Sequence, residues 1–383
     1  MMNFALTAEQ EAWKQSMWHF CETEVLPIRH RLETEVDVRS QLFEKMAVKG
    51  LFLQTVPSSY GGSYTDSLTY LLGLSTVAKA DAGVAVAMSV SNWVAEALFL
   101  YGTEEQKRRY LPQMKQGEWR GACFALTEEH AGSDPKSLEC AAAHDPQTGG
   151  YILNGHKRWI TNGNLANVCL VFAKVSMDDG SHGITAFLVE KGTTGWTVPT
   201  IVDKMGLLTV NLTNMHFKDC RIPQEQVIGK PGDGLKLALS MLDRGRLGIA
   251  AQAIGIAEAA FDASVKHAKW REQFGRPIGQ NQAIAFKLAD MHVKLEASRL
   301  LLYKAAWLRD NNESFTQAAS TAKLFATESC NEIVEQAVQI HGGYGYIKEY
   351  PIERYFRDAR ITTIYEGTSE IQRIVISRQL LGC

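Results

Sequence analysis

Three groupings in this chain bring together residue types that can do chemistry. The first is Ile361-Thr-Thr-Ile-Tyr365-Glu366-Gly367-Thr368-Ser369-Glu370-Ile371-Gln372, where a carboxylate follows an apolar run and precedes a glycine that lets other groups approach the backbone closely. A glutamate just ahead of a helix ordinarily complements the positive end of that helix. Flanked by apolar residues and partly desolvated, the same group has a raised pKa and serves as a general base. The second grouping is Lys157-Arg-Trp159-Ile-Thr161-Asn162-Gly163. Two residues apart on a strand, Trp159 and Thr161 share a face and offer an aromatic stacking surface beside a hydroxyl, unless the indole fills a core. The third, Phe124-Ala-Leu-Thr127-Glu-Glu-His-Ala-Gly-Ser133-Asp134, is either a turn-rich linker or a loop presenting amides and hydroxyls to an anionic or heteroaromatic ligand.

Other chemistries are excluded. The chain has no G-x-x-x-x-G-K-[ST] phosphate loop, H-E-x-x-H zinc helix or G-x-S-x-G nucleophile elbow. The glycine-rich stretches at 229–234 and 342–345 lack the G-x-G-x-x-G spacing of a Rossmann site. Seven cysteines (Cys21, Cys123, Cys140, Cys169, Cys220, Cys330, Cys383) are scattered without C-x-x-C spacing. They read as reduced thiols of an intracellular protein, and no metal site is expected. Forty basic against 42 acidic residues leave a formal charge of −2, without the positive excess of a nucleic-acid binder. The first residues carry no signal-peptide or transit-peptide character, so the expected location is cytoplasmic for a bacterial chain, or the mitochondrial matrix for a processed eukaryotic one.

These groups need a scaffold of 383 residues, enough for two or three domains. With 45% hydrophobic residues the chain can bury a sizeable core. Thr7-Ala-Glu-Gln10 and Thr103-Glu-Glu-Gln106 fit the capping box and predict helix starts. Residues 1–120 read as a helical domain, broken at Pro57-Ser-Ser-Tyr-Gly-Gly62. The segment Ala82 to Ala95 lacks charges for 14 residues, short of the ~20 of a membrane span, and reads as a buried core helix without membrane insertion. Residues 121–230 hold short β-rich runs (Tyr151 to Leu153, Val168 to Val175, Ile184 to Val189, Trp196 to Ile201, Asn214 to Phe217) between turns such as Asp178-Asp-Gly180, predicting a barrel or sandwich. Residues 231–383 return to long helices, with Ile284, Leu288, Met291, Leu295 and Leu302 on one face of a bundle. The fold class is α+β multidomain.

Together these segments resemble the acyl-CoA dehydrogenase family over essentially the whole chain. Tyr365-Glu-Gly-Thr-Ser-Glu-Ile-Gln372 and Met241-Leu-Asp-Arg-Gly-Arg246 are most similar to the short-chain (butyryl-CoA) type. The resemblance implies an N-terminal all-α domain, a middle β-barrel, a C-terminal four-helix bundle, non-covalent FAD and a homotetramer that passes electrons to electron-transfer flavoprotein. It implies that Phe124, Leu126, Thr127 and Ser133 line the flavin or acyl-CoA, with Trp159, Ile160 and Thr161 at the isoalloxazine. Arg271, Phe274 and Gln282 would hold FAD, as would Gln339, Ile340, Gly342 and Gly343 from a neighbouring subunit; Thr368 and Glu370 would touch it too. Asp243 and Arg246 resemble the pair that orients the CoA moiety, and Tyr365 and Gly367 would meet the thioester. Glu366 would remove the α-proton of a short- to medium-chain acyl-CoA while the β-hydride passes to FAD, giving a trans-2-enoyl-CoA in fatty-acid β-oxidation. The Glu366 amide and a ribityl hydroxyl would stabilise the enolate.

Departures from the family pattern bear on substrate. Gly245 stands where some members carry their base, and Ala85 where glutaryl-CoA members carry an arginine. Trp93 replaces a smaller residue and either shortens the acyl pocket or packs between helices. The stretch 206–213 and Glu129-His130 also differ. An enoyl-CoA reductase using the same base and flavin in reverse, and a non-catalytic acyl-CoA or FAD scaffold, remain open alternatives; an acyl-CoA oxidase is disfavoured. Lys266, Lys269, Arg271, Lys287 and Lys294 form either a docking surface for an acidic electron-transfer partner or a solvated helix face.

Overall fold

The computed structural model describes residues 5–177 and 181–382. The turn read at Asp178-Asp-Gly180 and Cys383 lie outside them. Helices α1 (Ala8–Phe20), α2 (Arg29–Leu32), α3 (Val36–Val48), α4 (Ser67–Ala80), α5 (Ala82–Tyr101) and α6 (Glu104–Tyr110) form the first layer. Both capping boxes are present: the Thr7 hydroxyl accepts from the Gln10 amide at 3.2 Å, and Thr103 does the same for Gln106 at 3.2 Å. Asp66 and Asp81 cap α4 and α5 through the amides of Thr69 and Val84. Helix α5 is long and apolar enough to cross a membrane by length and composition, yet 89% of its most apolar window is buried within the fold. It is the central core helix, as its uncharged stretch predicts.

The middle of the chain forms one eight-stranded sheet in the order β6-β7-β3-β2-β4-β5-β8, with β1 parallel to β4. The strands are β1 (Ala122–Ala125), β2 (Ala141–His144), β3 (Tyr151–Thr161), β4 (Val168–Ser176), β5 (His182–Glu190), β6 (Trp196–Val202), β7 (Leu212–Ile222) and β8 (Val227–Ile228). Strand β4 is covered on both sides, so it reads as a continuous apolar run rather than an alternation. Val168, Leu170 and Phe172 pack toward the helices, while Cys169, Val171 and Ala173 join a second core enclosed by the sheet. The expected barrel or sandwich is thus a curved sheet with its own interior.

Helix α7 (Gly234–Trp270) begins the third layer. A small hairpin of β9 (Glu272–Gln273) and β10 (Arg276–Pro277) leads into α8 (Gln282–Asp310), α9 (Thr316–His341), α10 (Ile352–Arg360) and α11 (Ser369–Leu381). The helical face read from spacing is real: Met291, Leu295 and Leu302 are buried, with Ile284 and Leu288 half-buried against the same core. Helix α7 runs 37 residues, slightly beyond the roughly 25 to 35 that the breaks suggest. Helical N- and C-terminal regions around a central sheet are the architecture expected from the sequence.

A buried polar knot joins the three layers. Asp358 of α10 accepts a hydrogen bond from the Leu207 amide in the β6–β7 loop. Thr209 of that loop donates to Asp81 at 3.0 Å, and Arg354 of α10 bridges Asp81 and Glu33. A Cβ on Gly206 would lie 2.4 Å from the Arg357 carbonyl oxygen, so only glycine fits there. The unusual 206–213 stretch is therefore a junction between layers. Burial first, then the nearby Asp81 charge, push the Asp358 carboxyl up to about 7, against the Leu207 amide and two arginines.

An acid whose folded pKa lies above its unfolded value gives stability that is complete below the unfolded pKa and is lost as pH rises through the folded one. Asp358→Asn keeps an acceptor for the Leu207 amide and removes this titration. The variant's thermal midpoint should therefore improve relative to wild type between about pH 4 and pH 7. A difference that does not change with pH would contradict the assignment.

Candidate active site

Glu366 lies in the turn between α10 and α11, and its backbone is itself unusual. Glu366 has φ of 55° and Gly367 a φ of 95°, two successive left-handed residues of which only one is glycine. A non-glycine residue there costs roughly 1–2 kcal/mol and persists only where its surroundings hold it. Three anchors do so. The Tyr365 hydroxyl donates to Gln252 of α7. The Gly367 carbonyl accepts from Lys323 of α9 at 2.7 Å and from Gln372 of α11 at 2.8 Å. Thr368 caps α11 by accepting from the Ile371 amide.

The carboxylate held by this turn is desolvated. Its Oε2 atom is enclosed and lacks a hydrogen-bond partner among the described residues. Burial pushes the Glu366 carboxyl well above the usual carboxylate range, opposed by the charges of Lys323 and Arg246. Of the two readings open in the sequence, the helix-capping one fails, because Thr368 supplies the cap. A buried acid with an unused oxygen beside a strained turn is what a general base requires.

Arg246 is buried and bonded to Asp243 and Ser320; Asp243 in turn accepts from Thr316 at 2.8 Å. The Asp243–Arg246 pair exists, and its cation faces Glu366. Beside Arg246, Gly245 carries the ring of Trp93: a Cβ on Gly245 would lie 1.6 Å from that indole. Trp93 is 5% exposed and meets Phe124 edge-on at 5.7 Å. No larger residue can stand at 245 while Trp93 is present.

The loop after β1 is fixed by a buried ion pair. Lys157 is fully buried and donates to the Leu126 carbonyl at 3.0 Å and to Glu128 at 2.7 Å. Glu128 also accepts from the amides of Glu139 and Cys140. Breaking such a pair from one side costs about 3–5 kcal/mol. The pair pins Phe124, Leu126 and Thr127 against β3, while Ser133 stays exposed farther along the loop. A bulge in β3 gives Trp159 a φ of 55° and leaves its ring 54% exposed. Thr161 follows on the open side, so the indole is a surface element and does not fill the sheet interior. Ile160 is different: its side chain is 2% exposed within the sheet core, so only its backbone is open to a ligand.

The remaining predicted cofactor residues gather at one end of the bundle. Arg271 lies over the Tyr344 ring at 5.3 Å, and His267 stacks on His341 at 4.3 Å, which joins the ends of α7 and α9. Phe274 is 98% exposed with φ of 55°; Gln282, Gln339, Gly342 and Gly343 are exposed around it. Ile340 turns into the core at 4% exposure, again leaving only backbone. Glu370 is exposed on the first turn of α11. An exposed indole beside a hydroxyl, amides of a pinned loop and exposed glycine backbone together suit a heteroaromatic, phosphate-bearing group such as FAD.

Sequence reasoning missed Lys323, Gln372, Gln252 and the Lys157–Glu128 pair. Lys157 had a signal: it sits two residues before Trp159 in a strand, at an inward position. Lys323 sits on the buried face of α9 among Ala319, Ala322 and Ala326, where a lysine demands a partner.

Gly245→Ala should lower the thermal midpoint by several degrees, from about 1–3 kcal/mol of overpacking. Adding Trp93→Ala should recover most of the loss, and additive effects in this double-mutant cycle would contradict the contact.

Three family profiles match the chain in order. The acyl-CoA dehydrogenase N-terminal domain covers residues 7–118, the middle domain 123–220 and the C-terminal domain 232–381. An acyl-CoA dehydrogenase of Bacillus subtilis (strain 168) is 45% identical across 98% of this chain and 99% of its own length. An acryloyl-CoA reductase (NADH) of Anaerotignum propionicum is 42% identical across 99% and 96%. Among solved structures, butyryl-CoA dehydrogenase from Megasphaera elsdenii superposes with a TM-score of 0.94 at 40% identity, covering 99% of this chain and all of that one. A chain solved in work on the electron transferring flavoprotein of Acidaminococcus fermentans gives 0.93 at 42% identity, covering 99% and 100%. With its three layers matched in order and full-length relatives above 40% identity, the chain belongs to the acyl-CoA dehydrogenase family and is an FAD-dependent oxidoreductase.

Proposed function

We propose that the protein removes hydrogen from the α and β carbons of a short-chain acyl-CoA, with Glu366 as the base. The observation that carries this reading is the enclosed, unpartnered Glu366 oxygen on a turn held by Tyr365, Lys323 and Gln372. Desolvation makes that carboxylate basic enough to take a proton from carbon, an acid far weaker than itself. The Glu366 amide is the chain's donor to the thioester oxygen, where negative charge grows as the proton leaves. Bound FAD supplies the hydride acceptor.

The short-chain preference is supported by Trp93, whose ring fills the space over Gly245 and abuts Phe124. The same packing removes the alternative base position on α7. Phe274, Phe286, Val293, Trp307 and Tyr346, all more than half exposed on the bundle, support assembly into a homotetramer. Electron-transfer flavoprotein is the proposed electron acceptor, in keeping with the Acidaminococcus fermentans structure. A second reading, reduction of an enoyl-CoA by the reverse chemistry, is favoured by the similarity to the Anaerotignum propionicum reductase.

The test is anaerobic bleaching of the bound flavin by saturated acyl-CoAs from butyryl to palmitoyl, with isobutyryl and isovaleryl included. Fast reduction by short straight chains is expected, and Glu366→Gln should slow it by about 10²–10⁴-fold while ligand still binds. A wild-type flavin that stays oxidised with every member of the series would overturn the forward reading.

A further inference from the structure

Lys323 is fully buried in the middle of α9, and its hydrogen bond goes to a carbonyl, that of Gly367, at 2.7 Å. A buried ammonium is expensive unless paired with opposite charge. Its position explains why it is retained: the residue before that carbonyl is Glu366, whose φ of 55° must be held in place. We propose that Lys323 is the positioning residue of the base, holding the Glu366–Gly367 turn through the Gly367 carbonyl and setting the charge balance around the Glu366 carboxylate. This rests on the reading of Glu366 as the base and identifies what tunes it.

The groups around Glu366 single out Lys323. From α7 comes Arg246, whose charge is shared with Asp243. From α9 come Lys323 and Glu328, the latter engaged by the Ser369 hydroxyl. From α11 comes Glu370, exposed to water. Tyr365 on the same turn and Tyr70 on α4 are neutral phenols whose pKa values burial raises further. Lys323 is thus the cation nearest the turn that is not hydrogen-bonded to a carboxylate. Burial pulls its own pKa down to about 8, with Glu366 foremost among the groups resisting that fall. Gln372 donates to the same carbonyl without a charge, which lets position and electrostatics be separated.

The experiment is single-turnover flavin reduction by butyryl-CoA as a function of pH in the holoenzyme. Lys323→Met, Lys323→Gln, Lys323→Arg and Gln372→Met are compared with wild type. Removing a positive charge favours the protonated acid, so the midpoint at which Glu366 becomes active should rise by about one pH unit or more in Lys323→Met. Below the midpoint this is a loss of about tenfold or more per unit. Lys323→Gln should behave alike and stands in if the methionine variant does not hold flavin. Lys323→Arg should keep the wild-type midpoint, and Gln372→Met should slow reduction without moving it. The protonated carboxyl stretch in the infrared, assigned by its loss in Glu366→Gln, should titrate in parallel. Wild-type midpoints in Lys323→Met and Lys323→Gln, or an equal shift in Gln372→Met, would overturn the proposal. If wild-type flavin is never reduced by an acyl-CoA, the base reading fails first; if it is reduced and the midpoints coincide, only the role of Lys323 fails.

Discussion

Everything else in this fold accommodates one carboxylate held out of water on a strained turn. An ionised acid in an apolar site is unstable, and a glutamate at positive φ is unfavourable, so Glu366 combines two costs that isolated chains avoid. Neither is offset locally. The turn is held by Gln252 on α7, Lys323 on α9 and Gln372 on α11, three helices that must be packed before any of these contacts exist. The energy for an activated base is drawn from the hydrophobic bundle, whose buried faces contribute at about 25 cal/mol per Å² of apolar surface.

The same logic explains why the helical layers grip a sheet. The β1 loop and β3 bulge carry the groups suited to a heteroaromatic cofactor, whereas the base lies in the bundle, so the two layers must keep fixed relative positions. The Asp358, Arg354, Asp81 and Thr209 knot ties the bundle, the N-terminal helices and the β6–β7 loop together. Glu96 of α5 adds a second clamp by accepting from Arg244 of α7 and Arg309 of α8. Trp93 pressed onto Gly245 adds a third, apolar contact between α5 and α7. Buried ion pairs of this kind contribute little net stability compared with apolar packing, but losing one partner strands a charge. They specify arrangement more than they add to stability.

Local signals in the sequence made much of this legible. The Thr7 and Thr103 caps, the uncharged run of α5, the continuous apolar strand β4 and the spacing along α8 each depend on neighbours within a few residues. Glu366 stood out for the same reason, through its apolar flank and adjacent glycine. Long-range consequences did not show. The β3 bulge that exposes Trp159 arises from pairing with β7, more than fifty residues away. Lys157 and Lys323 look like ordinary lysines until their partners, Glu128 and the Gly367 carbonyl, arrive from other elements. The 206–213 stretch looked like a substrate determinant and is a junction between layers, because its contacts lie on α10 and at the start of α5. Ile160 and Ile340 were swept in with their motifs, though their side chains belong to cores.

The central claim is that Glu366 itself takes the α-proton, and it is tested most directly where no hydride can follow. A 3-thia-acyl-CoA has sulfur in place of the β-carbon, so its α-hydrogens can leave but oxidation stops there. Exchange of those hydrogens into D₂O, followed by NMR or mass spectrometry, isolates the proton step. The account predicts rapid exchange with wild-type holoenzyme and exchange near the solvent background with Glu366→Gln, although both bind the thioester. Undiminished exchange in Glu366→Gln would contradict it and assign the base elsewhere.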